Sequence, residues 1–452
     1  MLQRDSVETL VKLLDVLEQG FGDLPPFTHA TSAPSALTEV LSETAEQLQN
    51  NFPYFHPLYA GQMLKPPHPV ARLAYALAMH INPNNHALDG GRASSAMEKE
   101  AVAHIAGMIG WDSHLGHLAG GGTMANLEAL WVAGQLSPGK TILASEQAHY
   151  THGRITGVLG LPFESITSDH RGRMDIRALE ERLKKGNIGT VVATIGTTAT
   201  GAVDPLPDIL ALKERYGFRL HADAAYGGYF QLVSNLAPET ANAFERLREA
   251  DSIVIDPHKH GLQPYGCGCV VFRDPTVGQF YKHDSPYTYF SSGDLHMGEI
   301  SLECSRPGAS AVALWATHKL LPLVRGGDFS SMLESSRKAA LKLYERLRSD
   351  RRFVVAAPPE LDILVWAPNV STVKSASELS RKIFAEAANE NLHLALAELP
   401  ARFFGEESFT GAPESEKVTC LRSVLMKPEH LDWTDSIWEI LDRSTTRAMK
   451  TV

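Results

Sequence analysis

From about residue 115 to 325, short apolar runs alternate with longer segments whose apolar residues recur at helical spacing. The runs are TILASE, TVVATIG, RLHADAA, DSIVIDP and CVVFR, and segments such as 174–185 and 208–216 lie between them. This alternation predicts an α/β fold: a mainly parallel sheet covered by helices on both faces. Beyond about residue 325 the pattern changes. A long helical stretch, 329–347, leads to FVVAAPPELDILVWAP, which alternates like an antiparallel strand pair, then to a helix near 377–390 and a strand region at 418–425. The expectation is a smaller α+β domain beside the large one. Upstream, Val7, Leu10, Leu13, Leu14 and Leu17, then Leu37, Val40, Leu41 and Leu48, mark two amphipathic helices joined by the Pro-rich GDLPPFTHATSAPSA. They have little partner surface of their own, so they are expected to pack on another subunit or on the main body. The organisation that follows is a helical segment over 1–90, a large domain over 91–328 and a small domain over 329–452.

Composition narrows the function classes. The 452 residues carry 52 acidic against 42 basic side chains, a net charge of -10, with no long charged block. Nucleic acid is therefore not an expected partner. Apolar stretches are broken by Gly, His or charge well short of a membrane span, and MLQRDSVETLVKLLDVLEQG reads as an acidic amphipathic helix, unlike a signal peptide. A soluble cytoplasmic protein is expected. Cys267, Cys269, Cys304 and Cys420 are too few to staple such a chain, and Cys-Gly-Cys fits neither a zinc knuckle nor a CxxC pair, so all are read as reduced. The 19 histidines include no HExxH or carboxylate-flanked pair, and no metal is expected.

The stretch that organises the chemistry is IVIDPHKHGLQPYGCG, residues 253–268, which sets Lys259 at the mouth of a buried strand pair. Apolar walls and neighbouring positive charge would free its amine to condense with an aldehyde; a surface lysine in a hairpin is the alternative. Gly120, Gly121 and Gly122 precede a helix beginning near Met124. Open amides at a helix N-terminus suit a phosphate. Asp223 closes the strand 218–222, so its carboxylate is partly buried and needs a partner. Between the strand pair and SRPGA at 305–309 lies YKHDSPYTYFSSGDLHMGE, which reads as a mobile loop. Ser95 and Glu98 have capping-box spacing and predict a helix start near Ser94 or Ser95.

Through DPHKHGLQPYGCG, GGGTMANLEAL (120–130), SEQAHYTHGR (145–154), GTTATGAVDPL (196–206) and HADAAYGG (221–228), the chain resembles the group II pyridoxal-phosphate (PLP) dependent amino-acid decarboxylases. The blocks keep one order across roughly 200 residues. The resemblance implies fold type I with a seven-stranded-type sheet, a homodimer embraced by the N-terminal helices, and PLP joined to Lys259. It implies that Thr123 and the Met124 amide hold the phosphate with Ser252 and His258, that Asp223 faces the pyridine nitrogen, and that Ala225 and His149 lie on the two ring faces. Thr198 would touch the cofactor near its 3'-oxygen, with Asp204 and His221 as support. Tyr287 or Tyr289 would return a proton to the α-carbon. The stretch FPYFHPLYAGQMLK, with His56, lines the substrate pocket in the family, though core padding is the plainer reading. Arg92 stands where the family usually has proline, and it would either pair with a substrate carboxylate or be a solvated surface arginine. Arg422 would support the cleft, bind a carboxylate or form a structural ion pair. The implied reaction is decarboxylation of an L-amino acid, with tyrosine-like and aspartate- or glutamate-like substrates both open: the Phe52, Tyr54, Phe55 and Tyr59 cluster suggests an aromatic side chain, and Arg92 favours an acidic one. A carbon-carbon lyase of the sphingosine-phosphate lyase type and a PLP-binding scaffold without turnover are the rival readings.

Overall fold

The computed structural model describes residues 5–25, 34–282, 296–405, 408–409, 413 and 415–450. The chain opens with α1 (Asp5–Gln19), α2 (Pro34–Leu48), α3 (Pro69–Met79) and α4 (Leu88–Ile109). α1 lies against α3, with Leu10, Leu14 and Leu17 half-buried. The apolar stripe of α2 is exposed at Leu37, Val40, Leu41 and Leu48. α4 is broken at Gly91, whose φ of -163° and ψ of 61° are not helical, so its continuous part begins at Arg92, near the expected start, while its first turn is capped at Ala87. The capping-box expectation fails because Ser95 and Glu98 are interior polar positions of that helix. Glu98 accepts from Arg306 Nη1 at 2.7 Å and from the Leu118 amide at 2.9 Å, and both side chains of the ion pair are buried.

Strands β1 (Leu115–Ala119), β2 (Thr141–Ser145), β3 (Phe163–Ile166), β4 (Ile188–Thr194), β5 (Arg219–Asp223), β6 (Ser252–Ile255) and β7 (Gly268–Phe272) build a seven-stranded sheet in the order β1-β7-β6-β5-β4-β2-β3. β3, β2, β4, β5 and β6 run parallel, and β7 is antiparallel to both of its neighbours. Helices α5 (Gly122–Leu136), α6 (Thr151–Leu159), α7 (Ile176–Leu183), α8 (Leu206–Tyr216) and α9 (Pro238–Glu245) are interleaved with these strands. β1 and β3 are the strands the apolar pattern misses. Gly116 and His117 interrupt β1, while Glu164 and Ser165 of the edge strand β3 are exposed.

After α10 (Gly308–Leu320) and α11 (Asp328–Ser349), strands β8 (Phe353–Val355), β9 (Ile363–Pro368), β10 (Ala395–Pro400) and β11 (Lys417–Val424) form an antiparallel sheet in the order β10-β11-β9-β8. α12 (Val373–Asn389) packs on that sheet, and α13 (His430–Lys450) packs on α11 and α12. Its own core gathers Trp366, Leu343, Ile383 and Leu441. Leu361, Ile363 and Val365 instead join the core of the large sheet, beside Val191, Leu220 and Ile253. The two sheets therefore share apolar packing, which fixes the small sheet against the ends of the large one. Among the described residues no helix is long and apolar enough to cross a membrane.

Candidate active site

Strand register brings the chemistry to one edge. Thr194 pairs with Asp223, Asp223 with Val254, Ile255 with Cys269, and Ala119 with Gly268. The carboxyl ends of β1, β4, β5 and β6 thus open together, where ligands of such sheets bind. They enclose a cavity of about 320 Å³, lined by Gly120 to Met124, His149, Thr151, Thr198, Asp223, Ala225, Tyr226, Asp256, His258 and Lys259, among others.

One wall is formed by the start of α5. Gly121 has φ of 149° and precedes α5, and no side chain caps that helix. A Cβ on Gly121 would meet His258 Cε1 at 3.3 Å, one on Gly122 would lie 2.7 Å from Asp256 Oδ2, and one on Gly268 would lie 2.5 Å from the Gly121 carbonyl carbon. Glycine is required at 268 because the Gly121 backbone passes against it, while the side chains of His258 and Asp256 fill the space beside Gly121 and Gly122. An uncapped helix N-terminus of this kind suits an anion. Thr123 and Met124 line the cavity there, as does His258, whose Nδ1 meets the Cys267 carbonyl at 2.8 Å. Burial holds the His258 imidazole below its ordinary value.

Lys259 lines the same cavity. Its Nζ is 3.0 Å from Asp256 Oδ2, so the expected setting of apolar walls and positive neighbours is corrected: a buried carboxylate faces the amine. Asp256 Oδ1 is buried without a protein partner. Asp223, at the end of β5, accepts from His152 Nε2 at 2.8 Å and from the Ala225 amide at 3.2 Å. Burial alone would push this carboxyl up, but the His152 hydrogen bond, with His221 and Lys259 nearby, holds it well below the ordinary carboxylate range. His149 lines the cavity with Nδ1 2.7 Å from Thr151 Oγ1, and burial lowers its basicity.

Supporting groups stand behind these. His221 bridges Ser252 Oγ at 2.9 Å and Asn126 Oδ1 at 2.8 Å, and Asn126 lines the cavity. Asp204 accepts from the Thr194 and Met174 amides, both at 2.7 Å, which pins the end of β4. Tyr226, a cavity residue not singled out by sequence, donates to Asp362 Oδ1 at 2.6 Å.

Other expected residues are elsewhere. Ser252 begins β6, fully buried against His221, and it does not line the cavity; the direction of the strand carries it away from the phosphate wall. Arg422 is buried, with Nη2 donating to the Thr198 carbonyl at 2.6 Å, Nε to Ala199 at 3.1 Å and Nη1 to Gly61 at 3.3 Å. It braces the Thr198 loop, a supporting position without a carboxylate partner. Arg92 lines a different, largely apolar cavity with Leu17 and Phe21. The His56 ring packs edge-on to Trp433 at 4.9 Å, outside the Lys259 cavity. Tyr287 and Tyr289 lie outside the described residues.

A mainly parallel sheet whose strand ends set a helix N-terminus, a lysine and an aspartate around one cavity is the architecture of the fold type I class of PLP proteins. The model of the pyridoxal-dependent decarboxylase conserved domain matches residues 130–367. The L-tyrosine decarboxylase of Enterococcus faecium is 26% identical, covering 92% of this chain and 88% of its own. The L-aspartate decarboxylase of Thermococcus kodakarensis is 31% identical over 63% of this chain and 73% of its own. The Oryza sativa TDC structure with PLP and tryptamine superposes with a TM-score of 0.78 at 19% identity, covering 99% of both chains. Mouse CSAD in apo form gives 0.76 at 21% identity, covering 96% of this chain and 91% of that one. The chain belongs to the family of pyridoxal-dependent decarboxylases. It is a carboxy-lyase by family, and PLP is its cofactor.

Proposed function

We propose that the protein removes the α-carboxylate of an L-amino acid as CO2 and leaves the corresponding amine, with Lys259 as the covalent anchor of PLP. The observation that carries this reading is the meeting of Lys259, Asp223, His149 and the open start of α5 on one cavity. When bound, PLP supplies the electron sink for the pair left as CO2 departs. The rest falls to the chain's own groups. The α5 amides with Thr123 would hold the phosphate, Asp223 would face the ring nitrogen, and Ala225 and His149 would flank the ring. Lys259 would bond the aldehyde carbon, with Asp256 Oδ2 accepting from the amine beforehand. Orientation of the substrate selects which bond breaks, so residues that fix the α-carboxylate choose the reaction. Tyr287 or Tyr289 is the proposed proton donor to the α-carbon.

Tyrosine and aspartate are the first substrates to test, because curated relatives carry those names. Neither sequence cue to the side chain reaches the cavity within this chain. Arg92 lines another cavity, and Phe52, Tyr54 and Tyr59 pack on one another, Phe52 and Tyr59 also against His393. The PLP-loaded protein should release CO2 from one or a few of the twenty amino acids. Retained cofactor with no CO2 from any of them would refute the proposal. The exposed stripe of α2 is proposed to join two copies of the chain, and sedimentation of a monomer at micromolar concentration would count against that.

A further inference from the structure

On the proposed reading, Asp223 has to present a full negative charge to a ring nitrogen from a site with little water. We propose that His152 is the positioning residue for Asp223, a neutral imidazole whose single proton sits on Nε2 and is donated to the carboxylate. His152 is the second residue of α6, three positions after His149, which places one ring in the cavity and the other beneath it. Its Nε2 is 2.8 Å from Asp223 Oδ2, and the two side chains are 1% and 5% exposed.

The tautomer follows from the other nitrogen. His152 Nδ1 is buried and has no hydrogen-bond partner among the described residues. An imidazolium would carry a second N–H there, buried without an acceptor, which costs more than an unused lone pair. The neutral Nε2–H form satisfies its only donor. Charge accounting points the same way. A neutral His152 leaves the pair with a net charge of minus one, available to a cationic ring nitrogen, whereas an imidazolium would cancel Asp223 before the cofactor met it. The other titratable groups facing the pair are His221 on β5, His149 before α6, and Lys259 and Asp256 in the turn after β6. Asp223 Oδ1 is already taken by the Ala225 amide, so His152 supplies the only side-chain donor the carboxylate has among the described residues.

The test uses the PLP-loaded protein with 15N-labelled histidine. One histidine, absent from the spectrum of His152→Gln, should show a protonated Nε2 and an unprotonated Nδ1 from pH 6 to pH 8.5; an imidazolium pattern at pH 7 would overturn the assignment. In turnover, His152→Leu should lower kcat by roughly 10- to 100-fold with KM nearly unchanged, and shift the pH midpoint of the bound cofactor's visible absorbance. His152→Gln, which keeps a donor, should recover most of both. Equal impairment of the two variants, or no change in either, would remove the donor role. If the Leu variant does not fold, the wild-type spectrum still decides. A protein that binds PLP but releases no CO2 would refute the decarboxylase reading and leave the tautomer measurement standing.

Discussion

At Gly122 the Asp256 carboxylate leaves no room for a side chain. A methyl group there would lie 2.7 Å from Asp256 Oδ2 and crowd the start of α5. Gly122→Ala should weaken PLP binding at least about tenfold, read by absorbance titration of the apoprotein, because helix amides and a narrow approach make the anion site. Unchanged affinity would place the phosphate elsewhere. At this scale the sequence singles out residues that the fold gathers on one cavity, as with Gly121, Thr123, Asp223 and Lys259. It hides those whose role depends on direction. Ser252 is close to Lys259 along the chain, yet β6 runs between them. His152 reads as one more polar residue of SEQAHYTHGR until α6 turns it towards β5. The spacing of three from His149 was the available signal.

Element by element, the buried polar contacts between helices are what apolar periodicity cannot register. Glu98 of α4 holds Arg306 and the Leu118 amide in the interior, tying α4 to β1 and to the segment before α10. Removing one member of such a pair leaves the other charge buried and alone. Glu98→Ala should therefore cost about 3–5 kcal/mol of unfolding free energy in denaturant titration, and a loss below about 1 kcal/mol would contradict the buried-pair account. Serine and glutamate at capping spacing are equally the signature of two interior polar positions one turn apart, which is what Ser95 and Glu98 are in α4. β1 was illegible for a related reason. His117 in its middle is buried because Glu128 of α5 meets it at 2.9 Å.

Over the whole molecule, the parallel sheet, the change of pattern near residue 325 and the antiparallel sheet were all legible, because burial on both faces writes continuous apolar runs. How tightly the two sheets are joined was not. Arg422 on the Thr198 loop and Asp362 on Tyr226 are contacts between distant residues with no local signature. Stability should also carry an acid limit set by buried histidines. His318 of α10 is buried beside His104 with no hydrogen-bond partner on either ring nitrogen, and burial pushes it down to about 3. Between that value and about 6.5 the unfolded chain binds a proton that the folded chain refuses. The stability is complete above about pH 6.5 and is lost as pH falls through that window. From pH 7.5 to pH 5 the wild type should lose about 2 kcal/mol more than His318→Leu, measured by denaturant titration at each pH. Parallel losses in the two proteins would show that His318 is already charged when folded.

The central claim is the covalent use of Lys259, and borohydride reduction of the PLP-loaded protein followed by peptide mass mapping addresses it without reference to substrate. The phosphopyridoxyl mass should appear on the peptide containing Lys259 and on no other. Its appearance on a different lysine, or full cofactor loss after reduction, would contradict the site described above.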